Sequence, residues 1–475
     1  MYYVWIVAVG GISAFAMSCG IGSNDLANAF GTAYGSGVMT LKQIVIVASF
    51  CEFGGAFLLG GEVTKTIAGS VTNISMFTAQ PAILMYGMLS ALIAATVWLF
   101  SATYMELAVS TTHSIIGGII GFAMAYNGPQ AITWIEPLDE FPYMKGVVPI
   151  VVSWFTSPIL SAGFSALIFW LTRTLILRSN NSLQRSYHLL PVLTCITFGI
   201  NSYFILVKGS KNKISWTPAT SAWISACIGA GAGLVGLACI PWLRKNVEAS
   251  HSQTINDVSV EVARSQVILN KKNTDDLAMI QLEAPELLQV PEDVDPFTNI
   301  EVFDPKTEAS FKYLQIFTSM CESFAHGAND VSNSIGPLAA IWSVHQTLQV
   351  KSKVDVPMWM LALGGTGIIV GLATNGIKIL RVLGLKMTKI TPTRGYAAEL
   401  STSLVVAIAS SYGLPISTTH CITGAVIGVG LLEGGNAVNW QLAGKTFSAW
   451  IFTLIITALL SAALFSQGIH APSVK

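Results

Sequence analysis

The chain has 475 residues, of which 52% are hydrophobic and only 11% charged, with a mean hydropathy of +0.61 and a formal net charge of zero. At that length a soluble protein would hold several domains, but this composition belongs to a polytopic membrane protein whose solvent is lipid. The balanced charge excludes a global basic field, so no nucleic-acid partner is expected and any anion binding has to be local.

A membrane-spanning helix needs about 20 mostly apolar residues. Stretches of that kind fall at 2–20, 43–61, 82–100, 104–125, 148–171, 188–207 and 219–241. They resume at 311–340, 357–375, 397–411, 413–430 and 443–465, which predicts an all-α fold of about 12 transmembrane segments. The first stretch lacks a basic leading region and reads as a retained span rather than a cleaved signal. Between the two groups, 243–310 carries thirteen acidic against six basic residues. It is expected to be a charged, partly disordered loop with helical patterning only around 255–290. Seven cysteines lie in apolar stretches without CxxC spacing, which argues against a disulfide framework or a zinc site. Trp5, Trp98, Trp154, Trp216, Trp242, Trp359 and Trp450 fall near segment ends, as an aromatic belt would. Lys65 and Arg394 sit near predicted helix ends, where long basic side chains snorkel to the interface.

Two phrases occur twice. Gly22-Ser23-Asn24-Asp25-Leu26-Ala27-Asn28-Ala29-Phe30-Gly31 returns 305 positions later as Gly327-Ala328-Asn329-Asp330-Val331-Ser332-Asn333-Ser334-Ile335-Gly336. Ser110-Thr111-Thr112-His113 returns as Ser417-Thr418-Thr419-His420 at a shift of 307. The chain therefore divides into a first copy (1–171), two linking helices (172–242), the acidic loop (243–310) and a second copy (311–475). Seven predicted crossings precede the second copy. An odd number makes the copies enter the membrane from opposite sides, an inverted repeat with broken or re-entrant helices, as secondary transporters have. Arg173, Arg178 and Arg185 in 172–187, and Lys378, Arg381, Lys386, Lys389 and Arg394 in 376–396, point to cytoplasmic loops. That puts the acidic loop in the cytoplasm and both termini outside, although Lys208, Lys211 and Lys213 then fall outside against the rule.

In the first phrase Asn24, Asp25 and Asn28, and in its copy Asn329, Asp330 and Asn333, bring a carboxylate and amides into apolar surroundings. The flanking glycines would let the helix unwind and free carbonyls, so that oxygen ligands assemble for a small cation such as sodium. An interhelical hydrogen-bonding patch is the plainer use of these residues; two matched copies favour the cation site. Ser110, Thr111 and Thr112, and Ser417, Thr418 and Thr419, look like the capped starts of half-helices, whose unpaired amides and hydroxyls suit a tetrahedral oxyanion. His113 and His420 are read first as buried hydrogen-bonding residues, with a part in coupling as the alternative. Glu52 and Glu399 are lone carboxylates in apolar helices, able to meet a cation, hold a proton or bond a neighbouring helix. Glu106 and Glu322 lie close to the motifs and are either further coupling groups or structural partners.

The doubled Gly-x-Asn-Asp-x-x-Asn-x-x-Gly with the two Ser-Thr-Thr-His phrases resembles the inorganic phosphate transporter family, sodium–phosphate symporters whose relatives include proton-coupled phosphate and sulfate permeases. The resemblance covers about 1–170 and 311–470. It implies a plasma-membrane transporter rather than an enzyme, often a homodimer, with inorganic phosphate as substrate, sodium as coupling ion and no cofactor. Asp25 and Asp330 would be sodium ligands with Asn28 and Asn333 beside them. The six hydroxyl residues would hold phosphate, and Glu52 and Glu399 match glutamates needed for transport. Ala108, where the second copy has Pro415, departs from strict symmetry.

Overall fold

The computed structural model describes residues 3–139, 141–209, 216–271, 300–351, 354–376, 379–380 and 387–470. The helices of the first copy are α1 (Val4–Gly35), α2 (Leu41–Leu59), α3 (Gly61–Gly69), α4 (Pro81–Tyr104), α5 (Thr111–Asn127) and α6 (Val147–Thr172). Then come α7 (Ser182–Gly209), α8 (Pro218–Lys271) and the short α9 (Pro305–Ser310). The second copy holds α10 (Lys312–Thr347), α11 (Met358–Thr374), α12 (Pro392–Ser411), α13 (Thr418–Glu433) and α14 (Trp440–His470).

Among the described residues, seven helices are long and apolar enough to cross a membrane: α1, α2, α4, α6 with its extension to Leu177, α7, α8 and α14. The other five predicted spans became α5 and α10 to α13, for physical reasons that bear on the site. α10 has the length but carries Glu322, His326 and Asp330, and α12 carries Arg394 and Glu399. α5 and α13 have 17 and 16 residues. At about 1.5 Å per residue they reach about 25 Å, short of a hydrocarbon core of about 30 Å. Each starts at its hydroxyl phrase, with Ser110 and Ser417 as the capping residues.

The two longest helices of the copies, α1 and α10, cross in opposite directions. Gly10 faces Ile341, the Ser18 and Ser334 hydroxyls lie 2.7 Å apart, and Asp25 faces His326. The remaining packing is mirrored between copies: α1 lies on α11 as α10 lies on α2, and α5 lies on α14 as α13 lies on α6. Glycine sets these crossings. A Cβ on Gly22 would meet the Ile368 carbonyl oxygen at 2.0 Å, and one on Gly327 would meet that of Glu52 at 2.2 Å. Gly117 and Gly121 on α5, like Gly424 and Gly428 on α13, bring backbones together in the small-xxx-small manner of membrane helices. This corrects one expectation: both copies of the Asn-Asp phrase lie within unbroken helices. Their glycines admit a neighbouring backbone, a role that depends on a tertiary partner invisible in the local sequence.

The acidic segment is also more ordered than expected. α8 runs unbroken from the membrane region to Lys271, while 272–299 lies outside the described residues. Its far end is tied down: Asp304 caps α9 through Thr307 N at 2.9 Å, and Ile300 and Phe303 are buried. Glu308 accepts from Thr393 N at 3.0 Å and from the Thr391 and Thr393 hydroxyls, capping the start of α12. Arg394 does not snorkel; it is 2% exposed, and its Nη2 donates to Glu433 Oε1 at 2.9 Å and to the Glu301 carbonyl at 2.8 Å. Arg178 holds the Glu301 side chain through two N–H groups. Lys65 lies in the middle of α3, not at a helix end, and pairs with Glu62 at 2.8 Å on a partly exposed face. Arg173, Arg178 and Arg394, from two loops predicted to share a membrane face, thus converge on one cluster with the end of the acidic segment.

Candidate functional site: two hydroxyl-rich helix starts between crossing helices

Each half-helix is held at its start by the first asparagine of its own copy. Asn24 donates to the Leu107 carbonyl at 3.0 Å and the Thr103 hydroxyl at 3.1 Å, and its oxygen accepts from Val109 N at 3.0 Å. Asn329 donates to the Ile416 carbonyl at 2.8 Å and to Asp330 Oδ1 at 2.7 Å. Grouped with the cation ligands on sequence grounds, these two amides are taken up in fixing the turns before α5 and α13. Ser110 and Ser417 then cap their helices, accepting from His113 N at 3.2 Å and His420 N at 3.3 Å. By helix geometry the first-turn amides that follow have no partner within the helix.

The two starts brace each other. Thr112 donates across to the Ile416 carbonyl at 3.0 Å, and its equivalent Thr419 to the Val109 carbonyl at 3.4 Å. The second asparagine of each phrase reaches into the opposite copy: Asn28 donates to Thr419 Oγ1 at 2.9 Å, and Asn333 to Thr111 Oγ1 at 3.1 Å. Thr418 donates to Asp330 Oδ2 at 2.7 Å. All of these residues are buried. The duplicated phrases therefore meet at one interlocked centre.

That centre holds unpaired acceptors. Among the described residues, both carboxylate oxygens of Asp25 and the amide oxygens of Asn28 and Asn333 are buried without a hydrogen-bond partner. Buried polar atoms are costly unless paired. Four unpaired oxygens beside a second carboxylate are the hard donor set that an alkali cation takes.

His326, overlooked in the sequence, lies in the middle of this acid cluster. Its Nδ1 is 2.8 Å from Glu52 Oε2, and its Nε2 is 2.8 Å from Asp330 Oδ2 and 3.7 Å from Asp25 Oδ2. Ligand atoms from Asp25, His326 and Asp330 all lie within 4.8 Å of one another. The overlooked signal was an ionisable residue four positions before Asp330 on one helix face, just ahead of Gly327. Glu399 is fully paired, accepting from Gln315 Nε2 at 3.1 Å, Thr318 Oγ1 at 2.6 Å and the Thr32 hydroxyl, so it ties α12 to α10 and α1. Glu322 is buried with neither oxygen paired among the described residues, whereas Glu106 lies in an exposed turn.

Behind the hydroxyls, His113 and His420 lie 4.6 Å apart, centroid to centroid. Trp154 stacks on His113 at 3.7 Å and Trp450 on His420 at 3.6 Å. These two tryptophans are buried, which corrects their reading as belt residues.

Oppositely directed helices, half-helix starts and buried unpaired ligand atoms at their junction define a multi-span membrane transporter, not an enzyme. The chain belongs to the phosphate transporter family, whose model matches residues 21–461. The sodium-dependent phosphate transporter 1-A of Danio rerio is 28% identical, over 98% of this chain and 94% of its own. The chloroplastic inorganic phosphate transporter 2-1 of Arabidopsis thaliana is 33% identical, over 94% of this chain and 69% of its own. A solved structure, described as the sodium-dependent phosphate transporter, matches with a TM-score of 0.78 at 31% identity, covering 97% of this chain and 98% of that one.

Proposed function

We propose that the protein imports inorganic phosphate together with sodium across the plasma membrane, by alternating access of two inverted halves, 1–171 and 311–475, around the shared centre. The observation that carries this reading is the set of unpaired oxygens on Asp25, Asn28 and Asn333 beside two facing hydroxyl-rich helix starts. Sodium takes Asp25, Asp330 and the two amide oxygens. Phosphate takes the first-turn amides and the hydroxyls of Ser110, Thr111, Thr112, Ser417, Thr418 and Thr419. Asn24 and Asn329 hold the helix starts in place, and Glu52 and Glu399 tie the crossing helices together. A cation about 5 Å from the anion is worth roughly 3 kcal/mol at an effective dielectric near 20, so each ligand raises the affinity for the other.

Two acidic phrases suit two sodium ions per monovalent phosphate. A tenfold sodium gradient then supplies about 2.7 kcal/mol, and the one net charge adds about 2.3 kcal/mol per 100 mV, enough for a concentration ratio of several thousand. One sodium ion would give only about tenfold accumulation. The clustering of Arg173, Arg178 and Arg394 with Glu301 supports a cytoplasmic face for the end of the acidic segment and external termini. A homodimer is the assembly we expect.

His326 between Glu52 and Asp330 favours a second reading, proton coupling of phosphate or sulfate transport on the same scaffold. Radiolabelled phosphate uptake in sodium and in choline medium across pH separates the two. Sodium coupling predicts uptake that collapses in choline at every pH, whereas uptake that persists in choline and rises with acidity overturns it.

A further inference from the structure

The turns that follow α4 and α12 are equivalent in the two copies, and the chain fills them differently. Leu107 N donates to the Ala102 carbonyl at 2.9 Å as Leu414 N does to that of Ala409 at 3.0 Å, and the residue before each leucine is left-handed. The second copy has Gly413 there, at φ +67°, and the first has Glu106, at φ +58°. Glycine adopts that conformation freely, whereas a residue with a Cβ is held in it at a cost, and such residues collect at functional sites. Gly413 is hemmed in, since a Cβ on it would stand 3.1 Å from Thr66 Oγ1 on α3. Glu106 instead lines a cavity of about 390 Å³ between its turn and the start of α14. Lys445 and Gln441 line the same cavity, as does Ala108, two residues before Ser110. Among the described residues neither Glu106 nor Lys445 makes an ion pair. The cavity therefore offers one anionic acceptor, one cationic donor and an amide beside the start of the first half-helix. α13 ends at Glu433 and α14 begins at Trp440, so the cavity lies on the face of the Arg394–Glu433 pair.

We propose that this cavity is a docking site for phosphate that still bears a proton, outside the hydroxyl centre, with Lys445 and Gln441 donating to its bare oxygens and Glu106 accepting from its P–OH. The assignment rests on the proposed phosphate transport and adds to it a site that needs no sodium, because Lys445 supplies the counter-charge. Glu106 sets the selectivity. Sulfate has no proton to give near neutral pH, so it would bring a bare oxygen against the carboxylate, and a site built to bond a hydroxyl rejects an analogue that lacks it. Ala108 forms the wall on the side of Ser110, so phosphate passing between the centre and this face meets the docking site on its way.

Equilibrium dialysis of radiolabelled phosphate against the purified full chain at about pH 6, in choline and in sodium medium, tests the assignment. In choline the wild type should bind one phosphate per chain, with affinity lowered at least about tenfold in Glu106→Gly and in Lys445→Gln, as loss of a charge-assisted hydrogen bond implies. Glu106→Gly should melt no lower than the wild type, because it installs the residue that the turn prefers, and this separates binding from a structural role. Equimolar sulfate should not compete. No phosphate bound in choline, unchanged binding in either variant, or competition by sulfate would overturn the proposal. So would displacement by equimolar glycerophosphoethanolamine, because the cavity would then belong to a lipid headgroup. A second phosphate that appears only in sodium reports the hydroxyl centre; its failure to appear would count against sodium coupling there and leave the docking site standing.

Discussion

At the residue scale, Asp25 and Asp330 are equivalent in sequence and unequal in structure. Asp330 accepts from Thr418, Asn329 and Asn333, whereas among the described residues Asp25 accepts no hydrogen bond. Asp25→Asn should therefore lower sodium-driven phosphate uptake at least about tenfold with little change in thermal stability, because it alters a carboxylate that accepts no hydrogen bond, His326 Nε2 standing 3.7 Å away. Asp330→Asn should lower uptake comparably and also destabilise the fold by about 1–3 kcal/mol, the cost of unpairing buried groups. Uptake normalised to surface protein and thermal unfolding of the purified variants check both; normal sodium dependence in both variants would remove the cation assignment. These residues were legible because the chain repeats them. His326 was not, since it lies just outside the repeated phrase and its counterpart is Ile21. Trp154 and Trp450 were misread because stacking partners on other helices, not their place along the chain, bury them.

At the element scale, the helix crossings depend on glycine. A Cβ on Gly371 would lie 1.9 Å from the Cys19 carbonyl oxygen, whereas one on Gly163 meets nothing within 4 Å. Gly371→Val should thus abolish a monodisperse peak on size-exclusion chromatography, since no rotamer relieves a clash with backbone, while Gly163→Ala purifies normally. The half-helices were legible in the hydroxyl phrases, because Ser and Thr announce a helix start. The unbroken course of α1 and α10 was not, because the same glycines serve unwinding or close approach, and only the position of α11 and α2 decides. The Arg178–Glu301 pair that ties down the end of the acidic segment titrates in a definite direction. The hydrogen bond from Arg178 holds the Glu301 carboxyl below its ordinary value. A depressed folded-state value stabilises above the unfolded value and is lost as pH falls through the folded one. Wild type should therefore melt higher than Glu301→Gln at neutral pH, with the gap closing below about pH 4. A gap unchanged at low pH would show that the Arg178–Glu301 pair does not hold the end of the acidic segment.

For the whole molecule, the opposite directions of α1 and α10 bring two copies of one polar phrase to a single centre, so that each copy completes the other's site. The doubling of the phrase was legible in the chain, but not that Asn28 and Asn333 would exchange between the copies, which follows from the packing of α1 against α10. On the proposed function, such a centre would couple ions because neither copy alone supplies enough ligands. Thr112→Val combined with Thr419→Val removes the mutual brace, the bonds from Asn333 and Asn28 and two of the hydroxyls proposed to hold phosphate, while nearly conserving shape, and should raise the KM for phosphate at least about tenfold. Uptake kinetics in vesicles check this, and an unchanged KM would mean that the brace does not shape the anion site. The most direct test of the central claim is phosphate uptake by reconstituted protein with the sodium gradient and membrane potential set independently. The account predicts uptake that needs sodium, rises with its square at low concentration and grows with an inside-negative potential; uptake indifferent to sodium at every potential would contradict it.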